Sequence, residues 1–373
     1  MKYLLSFIFL MGFIPNQLNA ASPKHHSSKQ SNFILDKLIA GLSIPWGMAF
    51  LAKHKMVVTE RKGNIKLVNI KTKTVAKLTG APEILVDGQG GLLDVAVPTN
   101  YKEGDWIYFT FVREKDDGGV TVLAKAKLKN NALVNWHDIL ETNSATETGY
   151  HFGSRITFDN KGFIYFGVGD RGERPSAQNT SNHAGSIMRL HLEGQVPKDN
   201  PFIENKKGLP EIWSYGHRNP QGMAYDEVNN RLWSIEHGPR GGDEINLILP
   251  GRNYGWPIIS YGKEYWGPVA VGEGTHRKGL EQPVKQYTPS IAPGSLLLYS
   301  GKAFPSWRGN LFAGALKLKH LNRVTLNNQA KAINEERLLT DLDERIRALT
   351  ESPQGWIVLS TDSGNIYAIK PVP

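Results

Sequence analysis

Gly153-Ser154-Arg155-Ile156, followed by the turn Lys161-Gly162 and an apolar run over residues 163–169, is the unit whose recurrence decides the fold. A Gly or polar residue introduces a short apolar strand, a turn pair follows, and a second, alternating strand comes next. Working outward, the same unit opens at Trp46-Gly47-Met48-Ala49-Phe50, Gly91-Leu92-Leu93-Asp94-Val95, Gly222-Met223-Ala224-Tyr225, Gly294-Ser295-Leu296-Leu297 and Arg345-Ile346-Arg347-Ala348-Leu349. Turn signals such as Lys62-Gly63, Asn229-Asn230, Gly309-Asn310 and Gln354-Gly355 punctuate it, and sustained helical periodicity is scarce. Six starts separated by about 44 to 72 residues suit four-stranded antiparallel blades with one variable loop each. An all-β, six-bladed β-propeller is therefore expected over residues 33–373; a β-sandwich predicts no such recurrence. Unengaged first and last blades would leave open sheet edges. Residues 33–39 are expected to prevent this by completing the last blade beside residues 365–369.

The composition agrees with one large globular unit. Of 373 residues, 40% are hydrophobic and 21% charged, which excludes a disordered chain, and the 38 Gly follow no collagen-like period. The formal net charge of +9 is spread over the chain without interleaved aromatics, so a solvated surface is expected and no nucleic-acid partner. The absence of Cys removes disulfides and thiolate metal sites. Lys2, an uncharged apolar run of 12 residues (3–14) and the small-residue ending Leu18-Asn19-Ala20 read as a signal peptide over residues 1–20, cleaved after Ala20. Residues 21–32 read as a flexible leader. No later run reaches the ~18 apolar residues of a membrane span, so a periplasmic or secreted protein is expected.

Residues just before each first strand share one end of a propeller near its axis. Read off the repeat, they are Gln89, His151, Arg218 with Asn219, and Arg345 with Arg347; Lys317 in Gly314-Ala315-Leu316-Lys317 joins them. Each alone reads more readily as a surface or structural residue. Together they offer an imidazole, guanidinium forks suited to planar carboxylates, an ammonium and amides, which is a lining for a flat polyanion. His151 is the natural base, since its ordinary pKa lies near neutrality. Asp170, ending the run of residues 163–169, is placed to orient it, with a turn-capping role as the alternative. The Gly- and Pro-broken segment of residues 236–244 reads from its pattern as a plain loop, although such backbone also presents carbonyls to a hard cation.

The strings GQGGLLDV (88–95), HFGSRI (151–156), GVGDRG (167–172), GHRNPQG (216–222), EHGPRGGDEIN (236–246), NYGWP (253–257) and ERIRAL (344–349) occur in this order. Over residues 44–369 the chain closely resembles the soluble quinoprotein glucose/sorbosone dehydrogenase family, especially its shorter bacterial aldose sugar dehydrogenases. The resemblance implies a six-bladed propeller that uses pyrroloquinoline quinone (PQQ) and calcium. It implies His151 as base, Asp170 as its orienting acid, Arg218 and Asn219 at the quinone, and Gln89 near the reacting carbon. Lys317, Arg345 and Arg347 would bind PQQ, with Lys319 as the rival to Lys317 because strand alternation would put both on one face. The carbonyls of Gly238 and Pro239 would hold the cofactor's calcium, and Glu244 with Tyr254 a structural calcium. The implied reaction is oxidation of an aldose at C1 to the lactone, with hydride passing to PQQ and on to an external electron acceptor. The insertions that help longer relatives dimerise are absent, so substrate choice and oligomeric state do not carry over; a monomer or weak dimer is the expectation for this chain. A calcium-dependent propeller lactonase would carry an axial acid cluster instead of this cationic set. A non-catalytic sugar- or protein-binding propeller would be expected to lose His151, Arg218 or Lys317.

Overall fold

The computed structural model describes residues 24–115, 118–159, 161–204 and 207–373. The expected signal peptide, and residues 21–23 of the expected leader, lie outside them. Six antiparallel sheets follow one another along the chain, five with four strands and one with five. Their innermost strands are Pro45–Ala52, Leu92–Ala96, Ile156–Phe158, Pro220–Asp226, Pro293–Leu298 and Ile346–Glu351, in blades one to six. These are the six starts of the sequence repeat, and each innermost strand touches the next around a closed ring.

The ring closes as expected: strand Asn32–Ile39 pairs antiparallel with Ile366–Pro371, so the last blade takes strands from both ends of the described chain. One expectation is corrected. Residues Lys24–Ser27, placed in a flexible leader, form a fifth, exposed edge strand on Asn32–Ile39. The outer edge of that strand offers unpaired N–H and C=O groups, and His26 stacks on Phe33 at 5.3 Å to hold the pair together.

The second strands also differ from the alternation read in the sequence. Lys55–Glu60, Ile107 to Val112 and Ile357–Thr361 are almost continuously buried. Each inner blade region is covered on both faces by its neighbours, so both sets of alternate side chains meet apolar surface, as in sheets sandwiched between layers. The core is accordingly divided into clusters at the six blade interfaces, for example Phe33, Trp307, Phe312 and Ile357 between blades five and six, or Leu38, Met48, Val58 and Val358 between blades six and one.

Glycine heads the inner strands because these strands crowd at the axis. A Cβ on Gly222 would lie 2.3 Å from Leu296 N, and one on Gly294 would lie 2.7 Å from Arg347 O. The space left at the axis is filled by one guanidinium. Arg155 of blade three donates to Asp94 Oδ1 (2.8 Å) in blade two, to the carbonyls of Gln221 (3.0 Å), Gly294 (2.8 Å) and Arg347 (3.0 Å) in blades four, five and six, and covers the Trp46 ring of blade one at 4.0 Å. A buried charge so fully paired ties all six blades together. Asp94 and Arg155 also line a funnel of about 770 Å3, whose lining contains none of the expected site residues.

Candidate active site

Of the residues expected at one end of the axis, Gln89, His151 and Asp170 are joined by hydrogen bonds, and Arg345 and Arg347 share one carboxylate. His151 precedes the inner strand of blade three with φ +54°, and a Cβ on Gly169 opposite would lie 2.4 Å from the His151 carbonyl. Its main-chain N–H donates to Gln89 Oε1 (3.0 Å), so the blade-two residue orients the backbone that carries the imidazole. Nδ1 meets Asp170 Oδ1 at 2.6 Å.

Asp170 is 1% exposed and fully committed. Besides His151, its carboxylate accepts Gly172 N–H (2.9 Å) and Trp256 Nε1–H (2.7 Å). Burial alone would raise its pKa, but the His151 hydrogen bond, with Arg218 and the Gly172 amide, outweighs burial and holds it below the ordinary value. Burial lowers the pKa of His151, and the Asp170 bond opposes this without cancelling it. At neutral pH the ring is therefore neutral, with its hydrogen on Nδ1 facing the carboxylate. Nε2 has no partner among the described residues, and the side chain is 14% exposed, enough for a small molecule to reach it. Trp256 sits in the NYGWP string but was not singled out; an indole inside a Gly-Pro loop was its only sequence signal.

Arg218 and Asn219 precede the inner strand of blade four. Glu236, also not singled out, receives the main-chain N–H of Arg218 (2.6 Å) and of Asn219 (3.4 Å) on one oxygen and His217 Nδ1 (2.9 Å) on the other. A carboxylate closing the apolar strand Arg231–Glu236 was the signal that could have marked it. Arg218 Nη1 donates to the carbonyls of His237 (3.2 Å) and Gly238 (2.9 Å), and its guanidinium lies 5.2 Å from the Trp256 ring. Its Nε is buried without a partner among the described residues. Asn219 is turned into the structure, where its Oδ1 accepts from Gly153 N–H and Gln221 Nε2.

Arg345 and Arg347 do not stand free. Arg345 Nε donates to Asp362 Oδ2 (2.8 Å), and Arg347 takes both oxygens of the same carboxylate (2.8 and 2.9 Å). Asp362 comes from a tight turn whose Ser363-Gly364 reads as punctuation only. Lys317 and Lys319 are not strand residues: strand Leu311–Ala315 ends before them, so alternation does not relate them. Lys319, at φ +49°, is paired with Asp343 (2.9 Å), whereas Lys317 is exposed and its ammonium has no partner among the described residues. Arg345 Nη1 donates to the Leu316 carbonyl and so ties blade six to the Lys317 loop.

The segment of residues 236–244 folds back tightly, and a Cβ on Gly238 would lie 2.2 Å from the Gly242 carbonyl. Asp243 receives Gly238 N–H (2.9 Å) and Ala292 N–H (2.8 Å). The Pro239 carbonyl accepts no hydrogen bond among the described residues. Behind the loop, Glu236 and Glu244 face each other across paired strands. They line a cavity of about 20 Å3 with Gly238, Gly242, Tyr254 and Trp256. Burial first, and Glu236 second, push the Glu244 carboxyl up to about 8. The Tyr254 hydroxyl is turned onto the Leu247 carbonyl (2.7 Å) and Leu249 N–H (2.8 Å). Among the described residues no three His, Asp or Glu side chains form a metal cage.

The family model described as glucose/sorbosone dehydrogenase matches residues 42–368. The aldose sugar dehydrogenase YliI of Escherichia coli is 38% identical over 339 residues, 88% of this chain and 91% of that protein. The crystal structure of the apo soluble aldose sugar dehydrogenase from E. coli superposes with a TM-score of 0.85 at 36% identity, covering 90% of this chain and 98% of that one. The PQQ-bound aldose sugar dehydrogenase of Streptomyces coelicolor superposes with a TM-score of 0.74 at 26% identity, covering 90% and 96%.

Proposed function

The chain belongs to the glucose/sorbosone dehydrogenase family, and from that premise we propose that it is a PQQ- and calcium-dependent aldose dehydrogenase that oxidises C1 of the sugar to the lactone. The observation that carries this reading is the His151–Asp170 dyad, whose Nε2 has no partner among the described residues and on which the Arg218 guanidinium of blade four acts.

The residues suit the cofactor. A flat molecule bearing carboxylates finds the unpartnered Nε of Arg218, the free ammonium of Lys317 and the paired forks of Arg345 and Arg347. Calcium, which takes carbonyl and carboxylate oxygens, finds the free carbonyl of Pro239 beside that of Gly238. A structural calcium suits the Glu236–Glu244 cavity, where two carboxyls face each other and offer it oxygen ligands. When bound, PQQ and its calcium supply the electrophile that accepts hydride from the sugar carbon.

The chain's own residues do the rest. His151 Nε2 accepts the proton of the C1 hydroxyl as the carbon loses hydride, and the sugar becomes the lactone. Asp170 keeps Nδ1–H oriented and offsets the positive charge gained by the ring, while Gly172 and Trp256 fix Asp170. Arg218, pinned by two carbonyls, places a fixed positive charge where negative charge builds. An external acceptor takes the electrons away. The expected signal peptide over residues 1–20 would deliver the protein to the periplasm or medium as a monomer or weak dimer.

The test is reconstitution. Protein made without PQQ is expected to be inactive, and PQQ with calcium should restore aldose-dependent dye reduction where calcium alone does not. Turnover supported by a nicotinamide cofactor alone, or none with any aldose after verified PQQ binding, would reject the reading.

A further inference from the structure

A second imidazole, His237, lies in the same site and has no part in the mechanism above. It follows strand Arg231–Glu236, and its Nε2 is 2.7 Å from the carbonyl oxygen of Pro293, which heads the inner strand of blade five. A carbonyl only accepts, so Nε2 carries the hydrogen and Nδ1 carries a lone pair. Nδ1 has no partner among the described residues, and the residue is only part-buried. Its main chain is clamped, with N–H donating to the Asn219 carbonyl (3.2 Å) and C=O accepting from Arg218 Nη1 (3.2 Å). The ring therefore has one orientation. Arg218, His151 and Arg347 are close enough to act on it electrostatically. The cationic groups around it can only donate, and the lone pair of His151 Nε2 is taken up by the C1 hydroxyl in the reaction, so His237 Nδ1 adds a side-chain acceptor beside those donors.

We propose that His237 Nδ1 accepts a hydrogen bond from a neutral donor of a molecule bound in this site, either a hydroxyl of the sugar or the ring N–H of the cofactor. This rests on the sugar dehydrogenase reading. The competing role is a strut, in which only the Nε2 bond between blades four and five matters. Two substitutions separate these roles. In His237→Gln the terminal amide reaches the depth of Nε2 and can keep the Pro293 bond, but no acceptor remains at Nδ1. In His237→Asn the carbonyl oxygen takes the place of Nδ1, and the reach to Pro293 is lost.

The experiment uses the full chain loaded with PQQ and calcium, with three readouts: PQQ affinity from quenching of tryptophan fluorescence, KM and kcat for an aldose, and the thermal midpoint. His237→Gln should worsen either the sugar KM or the PQQ affinity by about 5- to 20-fold, the worth of one hydrogen bond in a polar site, with kcat little changed. A rise in KM assigns the bond to the sugar, and weaker PQQ binding assigns it to the cofactor. His237→Asn should be less impaired than His237→Gln in that same parameter, even if its thermal midpoint is lower. His237→Gln at parent values in both, or His237→Asn impaired at least as much, overturns the proposal. If the parent oxidises no aldose, the functional reading fails by itself, and titrations of the two variants with PQQ and with an aldose, read by tryptophan fluorescence, still decide this one.

Discussion

His151 sits in left-handed backbone between a carboxylate and an open Nε2, and this placement sets what its replacement should do. His151→Gln should keep the fold and PQQ affinity yet slow single-turnover reduction of bound cofactor by about 10² to 10⁴, the usual worth of a general base. A variant reducing its cofactor at the parent rate would remove His151 from the chemistry. Asp170→Asn acts through two effects. The amide must offer a donor either to His151 Nδ1 or to Trp256 Nε1–H, so the productive tautomer with a free Nε2 lone pair is disfavoured and the rate falls. The Asp170 bond is also what raises the His151 pKa against burial. Without it the imidazole loses its proton at lower pH, and the acid limb of the single-turnover pH profile should move downward; an upward move would contradict the geometry. Lys317 and Lys319 illustrate the limit of local reading. Lys317→Ala should weaken PQQ binding by tenfold or more, at the scale of about 1.5 to 3 kcal/mol for a charged hydrogen bond. Lys319→Ala, which breaks only an exposed pair with Asp343, should leave it near the parent value. A PQQ titration of the two variants with the reverse order would reassign the contact.

Paired strands bring Glu236 and Glu244 face to face, a juxtaposition that exists only because Arg231–Glu236 and Asp243–Ile248 share a ladder. Burial and the neighbouring carboxylate raise the folded pKa of Glu244 to about 8, against an ordinary 4.5. A raised carboxyl contributes stability that is present below the ordinary value and lost as pH rises through the folded one. The thermal midpoint of chelator-treated protein should therefore fall from about pH 5 to about pH 9, and calcium should restore it most at the alkaline end. Glu244→Gln should flatten the pH dependence and abolish the calcium effect on it. A chelated parent whose midpoint does not fall across this range would show that the pair is already compensated. The element also explains the division of labour in the loop. Its glycines allow the tight return, Asp243 ties it down, and Arg218 holds the carbonyl of Gly238.

Closure of the ring is the property of the whole molecule on which every site distance depends, because the site takes residues from blades two to six. Deleting residues through Ile39 removes the strand that pairs with Ile366–Pro371 and should give protein that aggregates, whereas deletion only through Ser31 removes an exposed edge strand and should be mild. Phe33→Ala, emptying a 1%-exposed position in the blade five–six cluster, should cost about 3 to 5 kcal/mol in denaturant unfolding. Soluble protein of normal stability after the longer deletion would show that closure lies elsewhere. By itself the sequence determined the blade count, the inner strands and the closing strand, and it singled out the proposed base, its acid and the arginines, because glycine-headed strands, turn pairs and residues preceding each start are local signals that recur. What only the tertiary structure decided concerns groups whose meaning comes from a partner distant in the chain. Asp362 is a turn acid until Arg345 and Arg347 share it, and Trp256 is a loop indole until it reaches Asp170. Lys317 is set apart from Lys319 only by Asp343, and Arg155 reads as the polar head of one strand although it binds all six blades. Periodicity records which face of a strand meets apolar surface. It carries no record of which charges from separate blades converge on the axis, and that convergence is what makes the site.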